Sequence, residues 1–415
     1  MASSSAPSTP SAPSIPTPPV TIEGKFFWQD DRRFLINGVV YEPHHSNDSL
    51  IDPLDDDGLD DLERSIPLLK DLGVNTIFVF FIDINRKHDA AMSMLAEAGI
   101  YVLPCIAPFS RQYGASSVYG SYRLGLMDWY FKAVDEMTKY PNTLGLVVSC
   151  RAIAGPTDTS VAPILRAIVR DVKKYIRLAS KKKNWRALPV GISAPDLKPS
   201  LKLQYEYFVS GPEKDAVDFF GFNDFTPVGQ SPMQERRYNE LIDIFAASPV
   251  PVYFSMYGNN AVSPRAFNET QALYCDFSML STFSGGFIYE FFQSSDTKSG
   301  LIDRTESRRG NIRFTKLPDF RSLRDRLRGS FMRLPPMKNN SPSSVDAGVR
   351  PNPPQQCNSW LAPMLKLPKS PVQWRYVEEA IDDSEWVDLS NDMLDDAVDN
   401  LETSFKERFN INDKS

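Results

Sequence analysis

Apolar runs and amphipathic stretches alternate along most of this chain. Eight apolar runs, at residues 33–41, 75–83, 99–106, 143–150, 187–194, 216–223, 250–258 and 285–292, are rich in β-branched and aromatic side chains. Most of them are almost continuously apolar, which is typical of parallel strands that are covered on both faces. Stretches with helical periodicity lie between them, at residues 59–73, 89–99 and 160–182. The pattern therefore predicts strands and helices in alternation.

This alternation predicts an α/β fold. Eight β/α units within about 300 residues favour a closed (β/α)8 TIM barrel over an open doubly wound sheet, and we place the barrel at residues 22–327. No glycine-rich phosphate loop follows a strand, and Ser284-Gly285-Gly286 is interpreted as a tight turn into the last strand. The sequence thus disfavours a nucleotide-dependent enzyme.

Three segments outside the predicted barrel differ from it in composition. Residues 1–21 form a Pro/Ser-rich lead that is expected to be disordered. Residues 328–371 are rich in Pro, Asn and Ser, which is typical of a linker. Residues 372–415 form an acidic tail, in which thirteen acidic residues from Glu378 onwards oppose three basic ones. Of the net charge of −6, residues 378–415 therefore carry −10 and residues 1–377 carry +4, which does not indicate a nucleic-acid partner.

The acidic tail also contains an apolar stripe. Its members, at helical spacing, are Leu394, Val398, Leu401, Phe405 and Phe409. The stripe predicts an amphipathic helix that either docks back on the body or folds on a protein partner.

Targeting and cofactor signals are scarce. Residues 1–19 lack the basic start and apolar core of a secretory signal, and the polar end FNINDKS is unlike a lipid-anchor signal. No apolar run reaches the ~20 residues of a membrane-spanning helix. Four cysteines without CxxC spacing and three histidines (His44, His45 and His88) predict no metal site. We therefore expect a protein inside the cell, without a membrane span, a metal or a cofactor.

In a TIM barrel the reactive side chains lie at the carboxyl ends of the strands. The residues at the predicted ends are Tyr41, Glu42, Asp83, Cys150, Arg151, Asp196, Asp224, Met256, Tyr257 and Glu290. A carbohydrate-processing barrel that retains stereochemistry needs two carboxylates about 5–5.5 Å apart, often from strands four and seven. Here strand four ends in Ser149-Cys150-Arg151 and strand seven in Ser255-Met256-Tyr257, so neither end supplies a carboxylate.

Several longer motifs of the predicted barrel resemble one known family. They include FLINGVVYEP (34–43), SIPLLKDLGVNTI (65–77), YPNTLGLVV (140–148), PVYFSMYGNN (251–260) and FSGGFIYEFFQ (283–293). In order and spacing, residues 22–327 resemble the fungal 1,3-β-glucanosyltransferases of glycoside hydrolase family 72. These transferases of the fungal cell wall, held at the cell surface by a GPI anchor, cut a β-1,3-glucan chain and join it to another. The resemblance implies the same barrel fold and a β-1,3-glucan oligosaccharide as ligand.

The resemblance also implies two catalytic positions. It implies an acid/base glutamate at the position of Arg151 and a nucleophilic glutamate at the position of Met256. An arginine side chain keeps its proton at any ordinary pH, and a methionine thioether is only a weak hydrogen-bond acceptor without a proton to donate. The sequence therefore predicts a family 72-like pseudoenzyme, a catalytically inactive barrel that is kept as a binding or interaction scaffold.

Other positions of the family pattern are replaced as well. The resemblance implies an arginine at Phe78, a tyrosine at Phe80 and a cluster of sugar-stacking aromatics at residues 225–228, where this chain has Phe-Thr-Pro-Val. The positions of paired cysteines in the family are occupied by Leu62, Ala91, Val228 and Asn259. Because disulfides do not persist in a reducing compartment, their absence agrees with the expected intracellular location.

An active enzyme remains an alternative to the inactive scaffold. The carboxylates predicted near the barrel mouth are Glu42, Asp83, Asp224 and Glu290. A pair of them could have taken over glucan transfer or hydrolysis, and Glu290 is the best candidate because the family has a glutamate there too. The thiol of Cys150 beside Arg151 could have a lowered pKa, but no histidine is predicted next to it, which disfavours a cysteine nucleophile.

A lectin-like module that binds glucan without cutting it is a further alternative. Its rings for stacking on a sugar would be Tyr41, Phe80, Trp129 and Tyr257. The loss of the aromatic cluster at residues 225–228 weakens this alternative.

Overall fold

The computed structural model describes residues 17–43, 51–108, 122–150, 152–195, 200–226, 232–294, 297–307, 309–329 and 348–382. Within these ranges the strands are β1 Val20–Glu23, β2 Phe26–Gln29, β3 Arg32–Phe34, β4 Ile36–Val40, β5 Thr76–Val79, β6 Tyr101–Pro104, β7 Leu146–Val147, β8 Val190–Ala194, β9 Phe219–Asp224, β10 Val252–Tyr257, β11 Gly285–Ile288, β12 Ile302–Glu306 and β13 Ile312–Lys316. The helices are α1 Leu59–Leu72, α2 Asp89–Glu97, α3 Leu124–Thr138, α4 Ala162–Lys183, α5 Ser200–Val209, α6 Pro232–Phe245, α7 Asn268–Cys275, α8 Phe277–Thr282, α9 Pro318–Gly329 and α10 Trp374–Asp382. No helix within these ranges has both the length and the apolar character needed to cross a bilayer. The predicted tail helix, and the predicted lead up to residue 16, lie outside the described residues.

Eight of the strands form a parallel sheet that closes on itself. Their order is β6-β5-β4-β11-β10-β9-β8-β7. The two ends of this order meet through the parallel bridges Val102–Thr143 and Cys105–Val147. Each of these strands lies within one of the eight apolar runs, except that β9 extends one residue further to Asp224, and helices lie between the strands along the chain. The predicted (β/α)8 barrel is confirmed.

A three-stranded antiparallel sheet, β1-β2-β3, packs against the amino end of the barrel. The ring of Phe27 lies 5.8 Å from that of Phe219, the first residue of β9. The ring of Phe34 lies 5.0 Å from that of Tyr101, the first residue of β6. The sequence predicts a single strand over residues 33–41, whereas Phe34 ends β3 and β4 begins at Ile36. The short strands of this sheet carry several polar residues, so they give no continuous apolar signal.

Aromatic rings fill the interior of the barrel next to a glycine. Phe219 and Tyr253 are fully buried, and their ring centroids are 6.0 Å apart. Gly191 on β8 is paired with Phe219 on β9, and a methyl group at position 191 would lie only 2.2 Å from a carbon of the Phe219 ring. Since interiors are packed as densely as crystals of small molecules, this strand position has room for glycine alone.

Residues 348–371, which the sequence places in a linker, pack against the barrel. Trp360 is fully buried, and its ring lies 5.1 Å from that of Tyr207 on α5. Further along, the carbonyl oxygen of Pro368 accepts a hydrogen bond of 3.0 Å from Arg170 on α4. A single buried aromatic ring among prolines and polar residues has no periodicity, so composition alone does not distinguish this segment from a linker.

Candidate active site

The carboxyl ends of the barrel strands form the mouth of the barrel, and Met256 lies there within an apolar cluster. β10 has an irregular register between Phe254 and Met256, and such bulges commonly re-aim a side chain next to an active site. Met256 is 2% exposed and belongs to one cluster with Phe78, Phe80 and Cys150. The side chain at this strand end is therefore buried, cannot ionise and has apolar surroundings.

A row of polar side chains runs across the neighbouring strands. The hydroxyl of Ser193 on β8 donates to Ser255 Oγ at 2.6 Å. The hydroxyl of Ser255 in turn donates to Asn223 Oδ1 on β9 at 2.8 Å. Ser193 and Ser255 are buried, and hydroxyl and amide groups do not titrate near neutral pH, so this row links the three strands and cannot act as an acid–base pair.

The end of the fourth barrel strand is described only as far as Cys150. Cys150 is 9% exposed and lies in the same cluster as Met256. None of the four cysteines, all of which lie in described ranges, forms a disulfide. Arg151 and Asp196 lie outside the described residues, so their roles stay predictions.

Asp83, predicted near the mouth, lies in the turn that follows β5. Its amide donates to Asp52 Oδ2 at 2.6 Å, and its own Oδ1 accepts a hydrogen bond of 3.0 Å from the amide of Asn85. Both contacts order the loop after β5. A structural role therefore accounts for this carboxylate.

His88 is the centre of a buried charged network that the sequence did not predict. Its fully buried ring lies 2.9 Å from Glu136 Oε1 through Nδ1 and 2.8 Å from Asp52 Oδ2 through Nε2. Burial alone would lower the pKa of His88, but the hydrogen bonds to both carboxylates outweigh it and raise the pKa to about 9. Burial would likewise raise the pKa of Glu136, but hydrogen bonds from His88, Lys139 and Tyr140 lower it to about 2. A histidinium between two carboxylates thus joins the loop after β4 to α2 and α3.

Asp224 ends β9 in a small recess whose lining is both polar and apolar. Its Oδ1 accepts hydrogen bonds from the amide and the hydroxyl of Thr226 at 3.2 and 2.6 Å, and lies 3.6 Å from Nε of Arg237 on α6. Glu269 on α7 lines the same recess, and burial, together with the charge of Asp224, raises the pKa of Glu269. The recess encloses about 10 Å³, which is the space of roughly one water molecule. This pair of carboxylates therefore has no room for a sugar ring.

Glu290 follows β11 and is 1% exposed. Its Oε1 accepts a hydrogen bond of 2.8 Å from the hydroxyl of Thr297. Arg265 anchors the same segment, since its Nη1 donates to the carbonyl oxygen of Tyr289 at 2.7 Å and its Nε lies 2.6 Å from Asp319 Oδ2. Burial lowers the pKa of the Arg265 guanidinium, and Asp319 opposes that shift. The best candidate for a replacement catalyst is thus buried and hydrogen-bonded to a residue of its own loop.

The four rings predicted to stack on a sugar are buried in the core. Tyr41, Phe80, Trp129 and Tyr257 are 1%, 7%, 5% and 2% exposed. The hydroxyl of Tyr41 donates to Ser65 Oγ at 3.0 Å, and burial raises the pKa of both Tyr41 and Tyr257. Glu42, which follows Tyr41, is half-buried. These rings stabilise the barrel and present little surface to a ligand.

Phe225 and Tyr289 form an aromatic pair at the mouth that the sequence analysis missed. Their ring centroids are 5.7 Å apart and the ring planes are inclined by 78°. Both rings are half-buried and pack against the cluster that contains Met256. Each residue directly follows a barrel strand, so the rule that sites lie at strand ends could have identified the pair.

Comparison with known proteins identifies relatives over most of the chain. The 1,3-beta-glucanosyltransferase GAS5 of Saccharomyces cerevisiae is 35% identical over 329 residues, which cover 78% of this chain and 63% of that protein. The 1,3-beta-glucanosyltransferase gel1 of Aspergillus fumigatus is 31% identical over 353 residues, 85% of this chain and 74% of the relative. The structure of Saccharomyces cerevisiae Gas2p in complex with laminaritriose and laminaritetraose matches with a TM-score of 0.73 and 29% identity, over 87% of this chain and 78% of that one.

The relatives correct the expected location. The expectation of an intracellular protein is wrong, because the matching proteins are 1,3-beta-glucanosyltransferases, whose family acts at the cell surface. The expectation relied on the chain ends and on replaced cysteines. Replaced cysteines remove a cross-link, but they do not fix the compartment in which a protein works.

The family assignment rests on the whole barrel. The model of the family described as Glucanosyltransferase, glycoside hydrolase family 72, matches residues 11–329, which include all eight barrel strands. The chain spans 63% of the length of its yeast relative. With this match and the identities above, the chain belongs to the glucanosyltransferase family of glycoside hydrolases.

Proposed function

We propose that this chain is a non-catalytic member of its family, a (β/α)8 barrel that serves as a binding and interaction scaffold. The observation that carries the proposal is Met256, which lies buried among apolar side chains at the position where the family resemblance implies the nucleophile. A retaining mechanism needs a carboxylate there to form the glycosyl-enzyme intermediate. A thioether has no anionic oxygen with which to attack the anomeric carbon.

The other candidate groups support the same proposal. Asp83 orders a turn, Asp224 lies against an arginine of α6, and Glu290 accepts a hydrogen bond within its own loop. The resemblance implies the acid/base glutamate at Arg151, and a guanidinium keeps its proton. Among the described residues, none of these carboxylates is placed to take over either of the two catalytic roles.

The proposal is tested by incubating the protein with a reduced laminari-oligosaccharide and analysing the products by mass spectrometry. We expect neither shorter nor longer oligosaccharides, while yeast GAS5, run as a positive control, is expected to show that the assay detects transfer. An Arg151→Glu, Met256→Glu double variant restores both carboxylates. Its transfer activity in the same assay measures whether the rest of the site still supports catalysis. New product lengths from the unaltered chain that disappear in Glu290→Gln would overturn the proposal and assign catalysis to a relocated carboxylate.

A second candidate function, glucan binding without turnover, is favoured by the half-buried pair Phe225 and Tyr289 at the mouth. Aromatic faces of this kind stack on the apolar faces of sugar rings, and the apolar surface removed from water contributes ~25 cal/mol per Å². The structure of the related Gas2p has been solved with laminaripentaose.

Glucan binding predicts a selective effect at Phe225. We expect saturable binding of laminaripentaose by isothermal titration calorimetry, weakened about tenfold by Phe225→Ala because one stacking surface is lost. Phe277→Ala is the matched control, since this phenylalanine is 75% exposed on α8 and should leave the affinity unchanged. Absence of binding by the unaltered chain would exclude this candidate and leave a protein-interaction scaffold.

A further inference from the structure

A large groove lies at the amino end of the barrel, opposite the mouth. It encloses about 1070 Å³ between β1, α4, the segment that leads into β8 and the segment that leads into β10. Its lining includes the apolar side chains of Ile22, Ile176, Leu188 and Val250, of which the last three are buried. The groove therefore has an apolar floor.

Cations dominate the charged lining of this amino-end groove. They are Lys173, Arg177, Arg186, Lys214 and Arg350, whereas the acidic lining residues are Glu213 and Asp218. Lys173 is paired with Asp218 at 2.6 Å. The guanidinium groups at positions 186 and 350 donate to backbone carbonyl oxygens. Within the described ranges Arg177 and Lys214 have no carboxylate partner, so the groove carries excess positive charge.

The chain that follows the barrel runs beside α4 toward this groove. Ser370 donates to Asp171 on α4 at 2.6 Å. Lys174 lies 4.1 Å from the centre of the Trp374 ring, and Lys182 donates to the carbonyl oxygen of Glu378. Residues 370–378 thus run along α4 in the same direction as the helix, which places the end of α10 beside the last turn of α4.

The segment that continues from this point has the complementary charge. Residues 383–415 contain ten acidic and three basic residues. Arg177 precedes Lys182 by five residues, which is about 7.5 Å along a helix. The 33 residues of the segment could extend to ~100 Å, so its length does not limit its reach. Its apolar residues at helical spacing suit the apolar floor of the groove.

We propose that residues 383–415 dock in the amino-end groove of the same chain, with their carboxylates on the cations of the rim and their apolar side chains on the floor. The docked segment would cover the amino end of the barrel and leave the mouth open. The proposal is independent of whether the barrel turns over glucan.

The test is carbodiimide cross-linking of the full-length protein, which joins a lysine amine to a carboxylate in direct contact. We expect cross-links from Lys214 to carboxylates of residues 383–415. Cross-links should join residues of one chain, which a mixture of ¹⁴N- and ¹⁵N-labelled protein reveals by mass spectrometry. Their yield should fall at 1 M salt, where charges are screened within about 3 Å.

A matched pair of variants makes the test specific. We expect Arg177→Gln to lower the yield of these cross-links roughly threefold, because it removes a rim charge. Arg313→Gln removes an exposed arginine on β13, away from the groove, and should leave the yield unchanged. Cross-links between differently labelled chains would overturn the proposal in favour of a second copy. Cross-links spread over lysines outside the groove, or none from Lys214, would overturn it in favour of a segment available to another partner.

Discussion

The His88→Gln variant is expected to lose about 4 kcal/mol of unfolding free energy near pH 6, because removing one member of a buried ion pair leaves the other without compensation. In this chain Asp52 and Glu136 would both lose their cationic partner. Urea titration followed by circular dichroism measures the change. Asp57→Asn is the control, since it removes the charge of a side chain that is 77% exposed; it is expected to stay close to the parent because exposed ion pairs contribute only ~0–1 kcal/mol.

The same network gives the parent protein a defined pH dependence. The folded-state pKa of His88 is raised from 6.5 to about 9, so its stabilisation is complete below about pH 6.5 and is lost as the pH rises through 9. The shift corresponds to about 3 kcal/mol. On the acid side, the pKa of Glu136 is lowered from 4.5 to about 2, so its stabilisation is complete above about pH 4.5 and is lost as the pH falls toward 2. An alkaline loss of stability that persists in His88→Gln would assign the effect to another group.

The Arg265→Met variant is expected to lose about 4 kcal/mol of unfolding free energy, because it too leaves a buried charge without its partner. Its guanidinium is buried and contacts Asp319 and the backbone of the loop after β11. Arg86→Met is the matched control, since Arg86 is 54% exposed and lies 3.6–4.0 Å from its acidic neighbours. Such exposed pairs contribute only ~0–1 kcal/mol.

The lower stability of Arg265→Met could come from the unpaired Asp319 carboxylate or from the lost hydrogen bonds to the backbone, and a double variant distinguishes the two. Arg265→Met with Asp319→Leu removes both charges, so no buried carboxylate is left unpaired, and it is expected to be more stable than Arg265→Met alone. Equal losses in the single and the double variant would instead assign the effect to the hydrogen bonds with the backbone.

The barrel could be predicted from the sequence because each parallel strand that is covered on both faces gives a nearly continuous apolar run. Each of the eight apolar runs coincides with a strand, although Leu146–Val147 is only two residues long. The antiparallel sheet at the amino end could not be predicted in this way, since strands such as Arg32–Phe34 are too short and too polar. Local pattern identifies elements that are buried throughout and misses small ones that are held in place by their neighbours.

Strand ends were predictable, but the surroundings of the side chains there were not. Position along the chain placed Tyr41 and Tyr257 at the mouth, yet both are core residues. His88 and Arg265 were missed because their partners lie far along the chain, with Asp52 36 residues and Asp319 54 residues away. Such contacts form between segments that are distant along the chain, so they cannot be predicted from a local sequence motif.

The closure of the barrel between its first and last strands determines when the fold can be completed during synthesis. Ile36 on β4 is paired with Gly285 on β11, so the two strands are translated roughly 250 residues apart. At ~5–20 residues per second, β4 waits about 12–50 s for this neighbour. Throughout that interval one edge of β4 lacks its partner strand, and unpaired strand edges of this kind favour aggregation during folding.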